Sequence, residues 1–249
     1  MLRPILFNTE MVQAIQDGRK TATRRVIRWE RADVIKAASV RGKLFEPLAE
    51  DEPLPEPLLR WYMDHIPPRP YEVGDVLWVR ETWTFWPCVV CNSECECCEI
   101  APDPPDQMET ADGLTDGCFL YRADGDLPEG HKWNPSIHMP KQAARIFLRV
   151  TEVFPERLRE SFDEASLPMR ELAAEGILIN EDCKRCLQRD RRDGACLICG
   201  KYDHPRREFS QLWDRTVRKD RLADEGWAAD PWVWVVRFER CERPDGWPE

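Results

Sequence analysis

The sequence contains no apolar stretch near the roughly 20 residues that span a bilayer, which excludes a helical membrane span. Histidine is scarce. The four present lack the spacing of metal-binding pairs, and His204, five residues past Cys199, is a poor substitute ligand. Positive charge is in deficit: a net charge of −10 excludes broad, sequence-blind coating of nucleic acid. It does not exclude a local basic groove that takes one strand or one nucleotide. No internal repeat is present. Met1–Ile5 enters directly into strand-like sequence with no secretory leader, so the chain is expected to be soluble and cytoplasmic, in a host cell's cytoplasm if phage-encoded.

What is present supports a folded core. Hydrophobic residues make up 42% and charged residues 33% of the 249, a balance outside the range of globally disordered chains. Proline (21 residues) predicts many loops. Charge is uneven. Residues 1–28 carry six Lys/Arg against Glu10 and Asp17, whereas residues 99–130 carry nine acids and Arg122 alone. The acidic block reads as a solvated loop.

The densest chemistry lies in Gly18-Arg19-Lys20-Thr21-Ala22-Thr23-Arg24-Arg25, four cations and two hydroxyls in eight residues. These residue types suit an anionic, polar guest: lysine and arginine clamp phosphate, and threonine donates a hydrogen bond to it. The same parts allow acyl transfer. A lysine whose pKa is depressed by burial and by Arg19, Arg24 and Arg25 can take a threonine proton, and Glu175 or Glu81 can order the lysine or pass a proton to a leaving amine. If the run is extended, Lys20 points with Ala22 and Arg24 and away from Thr21 and Thr23, so a Lys20–Thr23 pairing needs irregular backbone. Glu81 can instead form a rim salt bridge to Arg80 or Arg25, and Glu175 can be an exposed acid at a helix end.

Eleven cysteines cluster at telling intervals. Cys183-x2-Cys186 and Cys196-x2-Cys199 are two knuckles separated by nine residues, a spacing that presents four thiolates to a structural zinc. Cys88-x2-Cys91 and Cys95-x2-Cys98 form a second, tighter set with Cys97 to spare, and any four of the five can serve. Four cysteines close a coordination sphere and leave no position for water, so zinc is expected here as a staple for loops. Cys118 and Cys241 read as small buried hydrophobes.

Along the chain, strands are expected at residues 3–7, 26–27, 76–80, 119–121, 145–153 and 232–238. Helices are expected between Asn8 or Thr9 and Gly18, at 58–64, 160–176 and 208–217. Alternating tryptophans in the last strand are expected in the core. Several short strands with few helices predict an α+β fold around a small closed or half-open β-barrel, one domain over 1–249. Insertions are expected at about 29–70 (proline-rich), 86–117 (cysteine-rich, then acidic) and 180–204 (the four-cysteine knuckle).

The order of these pieces resembles the ASCH domain family of PUA-like barrels, in particular its longer phage and prophage members. The resemblance rests on Gly18-Arg19-Lys20-Thr21-x-Thr23-Arg24-Arg25, the run Gly74–Trp83, Ile137-His138-Met139-Pro140 through Val150, Ala173-Ala174-Glu175-Gly176-Ile177, and Trp232–Phe238. It covers residues 3–28, 71–85, 119–179 and 206–240. It implies a cleft that engages RNA or a modified nucleoside, with Arg19, Lys20, Thr21, Thr23, Arg24, Arg25 and Glu81 as contacts. It also implies, as an alternative, a ribonuclease or an amidohydrolase of the N4-acetylcytidine type, with Lys20, Thr23 and Glu175 as its active site. Two cysteine-rich insertions depart from the small amidohydrolases and bear on the substrate. A zinc-stapled protein-interaction module is the remaining alternative.

Overall fold

A computed structural model describes residues 1–43, 52–87, 106–110, 113–127, 132–163, 168–177 and 204–247. In chain order its strands and α-helices are β1 (Leu2–Leu6), α1 (Thr9–Gln16), β2 (Ala22–Val26), α2 (Arg31–Val40), α3 (Glu56–His65), β3 (Val76–Arg80), β4 (Trp83–Pro87), β5 (Asp106–Thr110), β6 (Gly113–Tyr121), β7 (Phe147–Arg157), α4 (Glu160–Asp163), α5 (Pro168–Ala174), α6 (His204–Thr216), α7 (Leu222–Glu225) and β8 (Trp232–Cys241). The fold class is α+β, as the sequence predicts. No described helix is long and apolar enough to cross a membrane.

The chain divides into two compact units, one of Met1–Gly18, Gly74–Arg149 and Glu239–Glu249, the other of Arg19–Val73 and Val150–Phe238. In the first, β1 runs parallel to β3 and β3 runs antiparallel to the start of β7. A second sheet has the order β4-β6-β5 and is antiparallel throughout. Its core is aromatic. Trp247 meets Phe147 edge-on at 4.9 Å and Trp78 at 5.7 Å, and Trp83 and Phe119 pack with them. Helix α1 forms because Asn8 accepts the Met11 N–H at 2.8 Å and caps its first turn. Gly18, at φ +72°, ends it, a conformation that favours glycine.

In the second unit the order is β7-β8-β2. β2 and β8 are antiparallel, with Thr23 opposite Val236 and Arg24 opposite Val235. Val233, Trp234, Val235 and Val236 are all buried, so both faces of β8 are covered and its tryptophans are core, as expected. Helices α4, α5 and α6 contribute Phe162, Leu172, Phe209 and Trp213 to a second apolar cluster.

Four expectations change. The strand orders are open-ended, and no pairing among the described residues closes either unit's sheet into a barrel. The acidic block is partly a hairpin: β5 pairs with the polar first half of β6, Gly113–Gly117, while the apolar Cys118, Phe119 and Tyr121 pair with β4. The basic run does not lead up to a strand at residues 26–27; its second half, Ala22–Arg25, is already in the strand. Helix α2, inside the first insertion, was not anticipated. Helices α1, α3 and α6 begin or end within a few residues of their expected limits, α4 and α5 lie within the expected 160–176, and the short α7 has no expected counterpart.

Candidate functional site

The basic run enters β2 by docking on the end of α5. Glu175 and Gly176 follow that helix, and Gly176 at φ +92° turns the chain. Ile177 donates to the Leu172 carbonyl at 3.1 Å and Gly176 to Ala173 at 2.8 Å, the double bond of a glycine-terminated helix. The next carbonyls need donors, and three consecutive residues supply them. The Arg19 guanidinium donates to Gly176 O at 2.6 Å, the Lys20 amine to Glu175 O at 3.0 Å, and the Thr21 N–H to Ala174 O at 2.8 Å. Cations at a helix C-terminus also suit its negative end.

Lys20 therefore lies inside the protein, 2% exposed. Its amine donates to the Ala22 carbonyl at 2.7 Å and to Oε2 of Glu175 at 2.9 Å. Arg24 reaches the same carboxylate from β2: its Nη1 is 2.8 Å from Oε1 of Glu175. The rest of its guanidinium is held by Glu156 at 2.8 Å and Glu171 at 3.2 Å, and it lies 4.6 Å over the Phe162 ring. Arg237 binds the other oxygen of Glu171 at 2.6 Å and Glu152 at 3.3 Å. Lys20, just ahead of β2, and Arg24 within it thus converge on one carboxylate.

Burial sets the electrostatics. It pushes the Lys20 amine below the ordinary lysine value; Glu175 opposes this, and Arg25 and Arg24 add to it. Burial acts against Arg24 too, but Glu175 and Glu156 more than compensate, so its pKa rises. Arg25 is lowered by burial, partly offset by Tyr71 and Glu175. Burial alone would raise Glu171; the guanidinium groups of Arg237 and Arg24 hold it below the usual carboxylate range.

Of the residues singled out in the sequence, the structure joins Lys20 to Glu175 and adds Arg24. Glu175 is buried, not an exposed helix-end acid. Thr23 is buried in β2, and among the described residues no hydrogen bond joins it to Lys20 or Glu175. Thr21 is exposed, and Arg19 and Arg25 are half-buried. Cys183, Cys186, Cys196 and Cys199, and likewise Cys88, Cys91, Cys95, Cys97 and Cys98, lie outside the described residues. Among the described residues no cluster of His, Cys, Asp and Glu has metal-holding geometry. Cys118 is buried and Cys241 half-buried.

Glu81 belongs to a separate cluster in the first unit, and its partner is neither Arg80 nor Arg25. Arg145 grips it through Nε and Nη2, each 3.0 Å from one carboxylate oxygen. The same guanidinium bonds Asp124 and lies 3.8 Å over the Tyr121 ring. Tyr121 and Arg145 also line a cavity of about 420 Å³ with Phe119, Phe147 and Cys241. Burial raises the Glu81 carboxyl, and Arg145 pulls it back only in part. Arg145→Met, which strands this acid, should cost about 1–3 kcal/mol at neutral pH. The loss should shrink in acid, as the stranded carboxyl, already raised by burial, protonates. Urea denaturation at neutral and acid pH checks this, and an equal loss at both would refute it.

Glu156, Glu171, Arg237 and Arg145 were missed in the sequence. Glu171 and Glu175 carried a usable signal: two acids at i and i+4 share a helix face and repel, which calls for a cation between them. Glu156 and Arg237 sit in strands and are placed by pairing alone.

No family model, curated protein or solved structure matches the chain.

Proposed function

We propose that the chain acts on a modified nucleoside, free or in RNA, as an amide hydrolase in which Lys20 and Glu175 handle the proton. The observation that carries this reading is the 2.9 Å contact between the Lys20 amine and Glu175, 155 residues apart in sequence and both buried. Those are two of the three residues that the ASCH resemblance assigns to catalysis. A phosphate clamp would present its cations to solvent; Lys20 and Arg24 are turned inward, which favours chemistry over binding alone. Membership of the ASCH family, a PUA-like fold and a cytoplasmic location belong to the same proposal.

In the reaction, the neutral Lys20 amine takes the Thr23 hydroxyl proton as Oγ attacks the amide carbon. The carbon–nitrogen bond breaks, the leaving amine receives that proton from Lys20, and water then hydrolyses the threonyl ester. Thr23 lies on the face of β2 opposite Arg24, so the backbone between Lys20 and Thr23 must rearrange for the hydroxyl to reach the amine when substrate binds. Burial supplies what the first step needs, an amine that gives up its own proton more readily than a lysine in water.

Incubation with N4-acetylcytidine tests the proposal. Wild type should release acetate; Lys20→Ala and Glu175→Gln should lose about 10²–10⁴-fold in kcat, and Thr23→Ala should be inactive. No turnover by wild type rejects this substrate, and equal turnover by all four rejects the assigned residues. RNA affinity should fall with added salt if phosphates are contacted, and salt-independent binding argues against that contact.

Zinc is the cofactor in this proposal, one ion for each four-cysteine set. Cys183, Cys186, Cys196 and Cys199 would hold one ion, and four of Cys88–Cys98 the other. Each ion would brace its own loop and take no part in the reaction. Metal analysis of the purified protein should find zinc lost on Cys186→Ser; metal-free protein with full stability would contradict this.

A further inference from the structure

We propose that Arg24 is the positioning residue of the Lys20–Glu175 pair, tying Oε1 of Glu175 to Glu156 and Glu171 so that Oε2 is left facing the Lys20 amine. The inference rests on the hydrolase reading for its catalytic meaning and on geometry for everything else. The two oxygens of Glu175 are divided: Oε1 takes Nη1 of Arg24 at 2.8 Å and Oε2 takes Lys20 at 2.9 Å. The guanidinium is itself pinned at three points. Its Nε donates to Glu156 on β7 at 2.9 Å, its Nη2 to Glu171 on α5 at 3.2 Å, and Phe162 covers its face. Glu171 is fixed in turn by Arg237 at 2.6 Å. Glu175 thus cannot rotate both oxygens toward Lys20 without breaking a chain of ion pairs that runs from β2 through α5 to β8.

The consequence is chemical. A lysine facing an undivided carboxylate holds its proton tightly. Here the same carboxylate also neutralises an arginine that never deprotonates, so Lys20 has only a share of its counter-ion. Among the groups that act on its charge are Glu175, Arg24 and Arg25, and the two arginines oppose its protonation. Arg24 brings the amine closer to the state a general base requires. Lysine in its place would keep the charge but lose the planar fork that reaches three carboxylates at once.

The test uses the full chain, labelled with ¹⁵N at lysine, in wild-type, Arg24→Lys and Arg24→Gln forms. The readout is the Lys20 titration followed by NMR, which needs no substrate, together with N4-acetylcytidine hydrolysis. Arg24→Gln leaves three carboxylates short of a counter-ion and risks unfolding, so Arg24→Lys carries the decision. In Arg24→Lys the Lys20 midpoint should rise by about half a unit or more as Glu175 swings to it. Meanwhile kcat should fall at least about tenfold, with KM unchanged. Arg24→Gln, where folded, should raise the midpoint further. A Lys20 titration in Arg24→Lys that superimposes on wild type overturns the proposal, because charge alone would then account for Arg24. So does a raised midpoint with undiminished kcat. If wild type shows no hydrolysis, the function proposed above fails, while the titration still decides whether Arg24 divides the carboxylate.

Discussion

Arg24→Met lowers the stability of the folded chain by about 3–5 kcal/mol, the cost of breaking a buried ion pair by removing one partner. The mechanism is specific. Glu156, Glu171 and Glu175 are each no more than 5% exposed, and Arg24 touches all three. Without it, the three carboxylates face one another, and Lys20 and Arg237 offset their repulsion only in part. Methionine fills most of the stem's volume, so the loss is electrostatic and not a packing defect. Contact with the Phe162 ring is also forfeited. Most domains have only about 5–15 kcal/mol of total stability, so a loss of this size shows plainly in a urea titration. A midpoint within experimental error of wild type would mean the network is solvated and contributes nothing.

The second large effect is in packing. Phe209→Ala should cost about 3–5 kcal/mol. Phe209 is 3% exposed and lies 4.9 Å from Phe162, 5.8 Å from Trp227 and 6.3 Å from Trp213. The large rigid rings around it cannot collapse into the space a benzyl group leaves. Because Phe162 also covers Arg24, the cavity should loosen the ion-pair network beside it. Combined with Arg24→Met, the two losses should sum to less than their separate values, which a double-mutant cycle measures. Strict additivity would show that core and network are independent.

How far the sequence foretold this arrangement depends on the kind of signal. Strands and helices with a clear apolar period, such as β3, β8 and α6, were legible because burial alone dictates their pattern. β2 was not. Ala-Thr-Arg-Arg-Val has no apolar alternation, and its strand state comes from β8 on one side and buried glutamates on one face. Lys20 and Glu175 could be singled out by resemblance. That Arg24 would stand between them could not, since a sequence gives the sign of a charge and not the number of partners that will surround it. The acidic β5–β6 hairpin was misread for the opposite reason: its negative charges suggested solvent, while the apolar end of β6, fixed by pairing with β4, carries its polar start, Gly113–Gly117, into a ladder with β5. Glu81 lost its expected partners because Arg145, 64 residues away, competes for it with a two-point grip.

Competitive acetylation of the native protein, read by peptide mass spectrometry, tests most directly whether the Lys20 amine is withdrawn from solvent and locked against Glu175. Lys36, Lys43 and Lys219 are exposed. The account predicts that Lys20 labels at least about a hundredfold more slowly than these three in the folded state. It should react at their rate once urea unfolds the chain. Lys20 labelling at the rate of Lys36 in the native protein would contradict it.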